Sequence, residues 1–287
     1  MKRYIVAFFI FFHYADLSAQ EMTILNVVYD FSYTRDLADT ANPYKSEMIL
    51  SIGKTSSRYT TRDLFNRNSV AAIKLNKQRE EKINSTGSAA TAVAVGGPML
   101  NVSKAGTLIN EEIFINKTNS TIQTAGRIGF KNYHFSARIP AIEWKLTNDK
   151  KVISGYDCQK AVGNFGGRTF EAWFVPDLPY AFGPWKLNGL PGLILSAKDS
   201  KNEISFTCKE ITKNTDPEEL VTPYMNLGRS VEVKPKEYYK VAGMFASDPA
   251  AIIEAQIPGT TVSVRNLDSP EDKSIRKIAK YNPMELK

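Results

Sequence analysis

Residues 173–195, WFVPDLPYAFGPWKLNGLPGLIL, constrain this chain more than any other stretch, because four Pro and three Gly are interleaved there with two of its three Trp. Each Pro removes a backbone donor and each Gly loosens the chain, so no helix or strand runs through the segment. It is also too apolar to stand in water. It reads as a shaped loop leading into a buried strand. Pro191 presets φ for the first position of a turn and Gly192 supplies the positive φ of the second, the pattern of a type II turn. Leu190, Leu193 and Ile194 then enter the core on either side. Trp173, Tyr180, Phe182, Trp185 and Leu190 are the loop's candidate ligand contacts; Pro191 and Gly192 form its structural turn.

The chain opens with Lys2-Arg3, the apolar run Tyr4 to Phe12, and then Leu17-Ser18-Ala19-Gln20. A basic start, an apolar middle and small residues at a cut make residues 1–20 a secretory signal peptide. The run is shorter than the ~20 residues of a membrane-spanning helix, and no transmembrane segment is expected in the mature chain. The protein is expected to be exported, to the periplasm, the outer membrane or the medium. Residues 1–20 carry two of the basic and one of the acidic groups, so a formal net charge of +7 becomes +6. Those charges are interspersed, as on a solvated surface, and do not form a nucleic-acid stripe. Cys158 and Cys208 are candidates to pair in an oxidising compartment, or to remain two separate buried thiols.

From Ile24 to Tyr33, and again over Met48, Leu50 and Ile52, apolar residues alternate with period two, which predicts strands with one buried face. Asp63 to Asn84 has helical spacing. A Gly/Ala/Ser-rich insert follows at 85–106. Strands are predicted at Ile113–Asn116, Thr121–Phe130, Tyr133–Ile139, Ile142–Thr147, Lys151–Ala161, Thr169–Val175, Leu193–Ala197 and Ile204–Ile211. Gly155, Gly163, Gly166-Gly167 and Asn148-Asp149 would supply turns. Three helix starts are expected, at Asp216-Pro217, Asp248-Pro249 and Ser269-Pro270. The class is mainly β (α+β): a single curved antiparallel sheet or half barrel with a few packed helices toward the C-terminus, or alternatively a β-sandwich. Residues 21–287 read as one domain.

Catalytic constellations are scarce. His134 is the one histidine after residue 20, which removes zinc sites built on paired histidines. It lies between Tyr133 and Phe135 in a predicted strand, as a packed or surface histidine would. Glu143 and Glu171 each lie near a Trp, which resembles a glycosidase carboxylate pair only on paper. No phosphate loop or calcium loop is present. The residues therefore suggest no catalytic group, no metal and no cofactor.

Gly155-Tyr156-Asp157-Cys158-Gln159-Lys160-Ala161, Gly167-Arg168, Ala172-Trp173-Phe174, Gly183-Pro184-Trp185 and Gly189-Leu190-Pro191-Gly192-Leu193-Ile194 occur in that order, and Asn282-Pro283-Met284-Glu285-Leu286 closes the chain. Together these resemble the GLPGLI family, exported proteins of Bacteroidetes named for the hexapeptide. The resemblance covers most of the mature chain except the insert at 85–106. It implies an exported envelope protein of antiparallel β fold and unknown function, and it assigns no residue a role. The expected function is a non-catalytic cell-envelope protein binding a hydrophobic ligand, lipid or peptide. Alternatives are an accessory subunit docking on an outer-membrane receptor or secretion component, and a hydrolase using Glu143 and Glu171 or His134.

Overall fold

Two meanders of antiparallel strands meet on one shared strand. The computed structural model describes residues 21–86, 110–257, 278 and 280–286. The signal peptide of residues 1–20, residues 87–106 of the insert, and the helix expected from Ser269 lie outside the described residues. The strands are β1 Leu25–Tyr33, β2 Tyr44–Ile52, β3 Ser56–Thr61, β4 Asn110–Asn116, β5 Thr121–Ile128, β6 Lys131–Arg138, β7 Trp144–Ile153, β8 Tyr156–Phe165, β9 Arg168–Val175, β10 Leu193–Asp199, β11 Ile204–Lys213 and β12 Val231–Glu232. They form one sheet in the order β12-β6-β5-β4-β3-β2-β1-β11-β10-β9-β8-β7. Only β12 pairs in parallel, with β6. The two ends do not join, so the sheet is open.

The sheet must curve, because side chains from distant strands share one core. Ile113, Ile115 and Ile122 of β4 and β5 belong to the same buried cluster as Phe170, Ala172 and Phe174 of β9. Residues 176–192 lie on the inner face of this bowl. Tyr29 Oη of β1 donates to Ile194 O at 2.6 Å, and Trp144 Nε1 of β7 donates to Asn188 O at 2.8 Å. The period-two pattern of β1 is the reason for this arrangement: Val27, Tyr29, Phe31 and Tyr33 all point inward and are buried.

Helices cover the rest. α1 Arg62–Asn68 and α2 Val70–Thr86 share the stretch expected as one helix, broken at Ser69, which is extended. α3 Pro235–Ser247 and α4 Pro249–Gln256 bury Tyr238, Ala242, Phe245 and Ile253 against Ile128 and Phe135 of β5 and β6. Asp248 caps α4 as expected.

Five local expectations change, the first at Gly163, which lies inside β8 paired with Trp144 and Phe170 and makes no turn. The helix predicted at Asp216 is a turn followed by an extended strap. Buried Arg58 recruits that strap, donating to Leu220 O (3.1 Å), Thr222 O (2.8 Å), Glu219 Oε1 (3.1 Å) and Tyr224 Oη (2.7 Å). Tertiary hydrogen bonds win there over local propensity. The single strand expected at Lys151–Ala161 is a hairpin, turning at Ser154 (φ 50°) and Gly155 (φ 84°). Asn148-Asp149 sit in a register shift within β7 and do not form a turn between strands. Gly192 does not take positive φ; Gly189 does, at 88°.

Gly192 is required for space. A Cβ there would lie 2.0 Å from Val175 O, whereas a Cβ at Gly189 meets nothing within 4 Å. Gly192→Ala is therefore expected to cost at least about 3 kcal/mol, since backbone must move. Gly189→Ala is expected to cost only about 1–2 kcal/mol of backbone strain. Denaturant titration of the two variants checks this order, and equal losses would contradict it.

Candidate functional site

A cavity of about 50 Å³ opens on the inner face, lined by Phe31, Tyr44, Met48, Tyr59, Thr61, Glu111, Ile113, Trp185 and Met284. Four neighbouring strands, β1 to β4, supply the first seven of these at inward positions. The loop and the C-terminal segment supply the other two. Trp185 reaches the cavity through a turn closed by Leu187 N on Pro184 O at 3.2 Å. Its φ of 56° is left-handed, unusual for a bulky residue and a mark of local constraint. Its indole is wedged edge-on against Phe165, with ring centroids 5.2 Å apart.

Met284 and Glu285 are positioned by Arg168, 5 % exposed. The guanidinium donates to Asn282 Oδ1 (2.6 Å), Pro283 O (2.8 Å) and Met284 O (3.0 Å), and pairs with Asp199 and Glu203 at 2.7 Å each. Tyr33 Oη donates to Asn282 O. Held this way, Glu285 forms an ion pair with Lys186, whose ammonium also donates to Tyr239 Oη. Lys186 Nζ lies 4.7 Å from the Tyr239 ring centroid and 5.6 Å from that of Phe135, so its charge is held by both a carboxylate and aromatic faces.

Glu111 is the site's second carboxyl group. Burial pushes it up to about 7, Lys186 opposes the shift, and Glu285 adds to it. The Tyr238 hydroxyl beside it eases the shift slightly without completing a hydrogen bond. Tyr59 Oη is buried with no partner among the described residues. Burial raises the Tyr59, Tyr238, Tyr239 and Tyr281 phenols, so all four stay protonated. The cleft thus combines apolar walls, unused hydroxyls and one carboxyl group able to gain or lose a proton near neutrality.

Of the residues singled out in the sequence, Trp185 alone lines this cavity. Phe182 and Leu190 are core side chains, with Lys117 Nζ 4.1 Å from the Phe182 ring centroid. Tyr180 is half-buried. Trp173 faces outward, between Lys151 and Lys160, and donates to Glu171 Oε1 at 3.2 Å. Glu171 is in turn paired with Lys160 at 3.0 Å, and Glu143 is exposed. His134 Nδ1 shares a 2.7 Å hydrogen bond with Ser230 Oγ. Cys158 and Cys208 are buried free thiols. Sequence reasoning missed Glu111, Lys186 and Glu285. The signal for Glu111 was present: with Ile113 and Ile115 it continues the inward alternation of β4, where a carboxylate is out of place.

The model of a family described as "N-glycanase peptide, N-terminal domain" matches residues 88–232. No curated protein matches the chain. Two similar solved structures are both of PNGF-II. The one in space group P21 is 15% identical with a TM-score of 0.48, over 77% of this chain and 33% of that one. The one in space group C2 is 14% identical with a TM-score of 0.47, over 77% of this chain and 32% of that one. The chain therefore spans about a third of the length of the structures it matches. The resemblance to the GLPGLI family is not upheld, because the matching family model is the N-glycanase one. The same match overturns the expectation of a non-enzyme of unknown function, since an N-glycanase family is an enzyme family.

Glu111 makes stability depend on pH. Its folded value lies above the ordinary 4.5, so between those values the folded protein binds a proton that the unfolded chain does not. Stability therefore falls as pH rises from about 4.5 to about 7, by on the order of 3 kcal/mol. Glu112, also raised by burial, adds to the same slope. Glu21, Glu47, Glu171 and Glu203 are lowered and act only below this window. Glu111→Gln is expected to remove most of the fall, as read by melting temperature against pH. An unchanged profile would show that Glu111 titrates normally.

Proposed function

This chain belongs to the N-glycanase peptide N-terminal domain family, and we propose that it engages glycosylated protein across its concave face in the service of N-glycanase chemistry. The observation that carries this reading is the cleft itself. It is a concave, aromatic-walled site with a few convergent polar groups, the usual character of a ligand site, and Trp185, Lys186 and Glu111 all fall in the matched stretch. The half-buried ring of Tyr44 at the mouth suits the apolar face of a sugar or a peptide backbone, while Glu111 offers a hydrogen bond there. The layout of residues 1–20 supports export, and we place the protein in the periplasm or at the outer membrane. No described helix is long and apolar enough to cross a membrane.

A second reading is favoured by one feature, the carboxyl group of Glu111 at about 7. A group that exchanges protons at the operating pH is what general acid–base catalysis of glycan release requires.

Both readings are tested with an N-glycopeptide and the same peptide without its glycan. Binding to wild type is expected to be at least about tenfold tighter for the glycopeptide, and Tyr44→Ala should weaken it about tenfold, the value of one aromatic wall. Equal affinity for the two peptides would reject the recognition reading. If Glu111 is catalytic, wild type releases glycan and Glu111→Gln does so roughly 10²–10⁴-fold more slowly. Absence of release by the intact chain would reject the second reading alone.

A further inference from the structure

We infer that the inner-face cavity is a receptor for an alkylammonium group, a lysine side chain of the bound polypeptide, held by Glu111 among the rings of Phe31, Tyr44, Tyr59 and Trp185. The inference deepens the recognition reading and rests on it only for the source of the amine.

Size sets the first limit. A water needs about 10–15 Å³ of such space, so about 50 Å³ admits roughly three to five groups of that size. A sugar ring does not enter, and glycan contacts must be made on the rim. The end of an unbranched chain does enter. Thr61, Glu111, Met284 and Tyr44 are half-buried and form the mouth through which it would pass.

Chemistry sets the second limit. Four aromatic rings and Met48 wall the cavity, and aromatic faces attract desolvated cations. Cations already lie beside rings here: Lys186 Nζ is 5.6 Å from the Phe135 ring centroid and 5.8 Å from that of Trp185, and Arg35 lies 5.2 Å from the Tyr44 ring centroid. Lys186 is paired with Glu285, so an ionised Glu111 would have no ion-pair partner of its own among the described residues. An incoming ammonium supplies that partner. Two of its three N–H donors have acceptors among the lining residues: the Glu111 carboxylate and the unpartnered Tyr59 Oη.

Proton linkage makes the inference testable. The groups facing Glu111 are Lys186 from the loop, Glu285 and Tyr281 from the C-terminal segment, Tyr238 and Tyr239 from α3, and Tyr59 from β3. Burial brings Glu111 up to about 7. A cation that needs the ionised carboxylate must displace a proton below about pH 7, so its affinity should drop about tenfold per pH unit there. A neutral amide or hydroxyl ligand would show no such loss.

Binding of Nα-acetyl-lysine-N-methylamide to the full chain, followed by NMR shifts of the cavity's aromatic rings, provides the test. The norleucine analogue serves as the uncharged control, and vesicles containing phosphatidylethanolamine present the amine from a lipid instead. The lysine compound is expected to bind at least about tenfold more tightly than norleucine at pH 8, with the pH dependence above. Glu111→Gln should abolish both the charge preference and the pH dependence without lowering the melting temperature, and Tyr59→Phe should weaken binding severalfold. Equal binding of the two compounds, tighter binding at pH 5, or a charge preference that survives Glu111→Gln would overturn the inference. Preference for the vesicles would overturn its assignment to polypeptide. None of these outcomes depends on glycopeptide binding, so failure here is distinct from failure of the recognition reading.

Discussion

The pairing of β1 with β11 is the interaction on which the bowl depends. All other strand neighbours except the short parallel pair β12–β6 follow one another directly in sequence, and all of those but β3–β4 and β9–β10 are joined by ten residues or fewer. β1 and β11 are instead joined in register from Leu25–Lys213 to Tyr33–Ile204. Without that ladder there would be two separate meanders, each with one apolar face open to water. The ladder fuses them and lets their inner faces share one core. The Val28/Tyr29 register shift falls in this ladder, and bulges of that kind sharpen local twist. It also sits beside the Tyr29 hydroxyl that holds Ile194, so the fusion of the meanders and the seating of the inner loop depend on the same residue.

Two buried arginines then fix the segments that sequence pattern alone would leave loose. Arg58, on the outer face, binds the strap through Glu219, and that carboxylate also accepts from Val70 N at the start of α2. Arg168, on the inner side, binds the C-terminal segment. Neither pair is evidence of stability in itself, because desolvating two charges offsets much of their attraction. What each provides is placement. Arg presents five donors in a rigid fork, and each residue donates to two backbone carbonyls of an otherwise irregular segment as well as to side chains. Glu285 reaches Lys186 only because Arg168 holds the three residues before it.

The strands were legible because one face of the sheet is apolar nearly throughout, so β1, β2 and β10 announce themselves by alternation or by a continuous apolar run. The helix at Asp216 was misread because Arg58 lies far away in sequence and its demand for carbonyls is invisible locally. Gly192 was read as the positive-φ residue of a turn, as a Pro-Gly pair suggests from sequence, whereas the close approach of Val175 O to it is visible only in space. The site was hidden for a related reason. The loop displays its aromatics conspicuously, yet Phe182 and Leu190 face the core, and Trp173 belongs to the opposite face of β9. The polar members come from β4, the loop and the last residues of the chain, and no local spacing links Glu111, Lys186 and Glu285.

The burial of Glu111 calls for a functional explanation more than a structural one. Lys186 needs a partner, but Glu285 already supplies it, so Glu111 is not required to neutralise a buried charge. It completes no hydrogen bond that seats another segment, in contrast to Glu112, whose carboxylate accepts from Tyr224 N and Met225 N at 2.7 and 2.9 Å. The two adjacent glutamates point to opposite faces of β4, and only the outer one is used to hold the fold. The inner one loses solvation and receives little in return, and a chain under selection for stability alone would put an apolar residue there. Sites where local rules are broken without compensation are where function is most often found. With Tyr59 equally unsatisfied across the same cavity, the missing partner of both groups is best sought outside the chain.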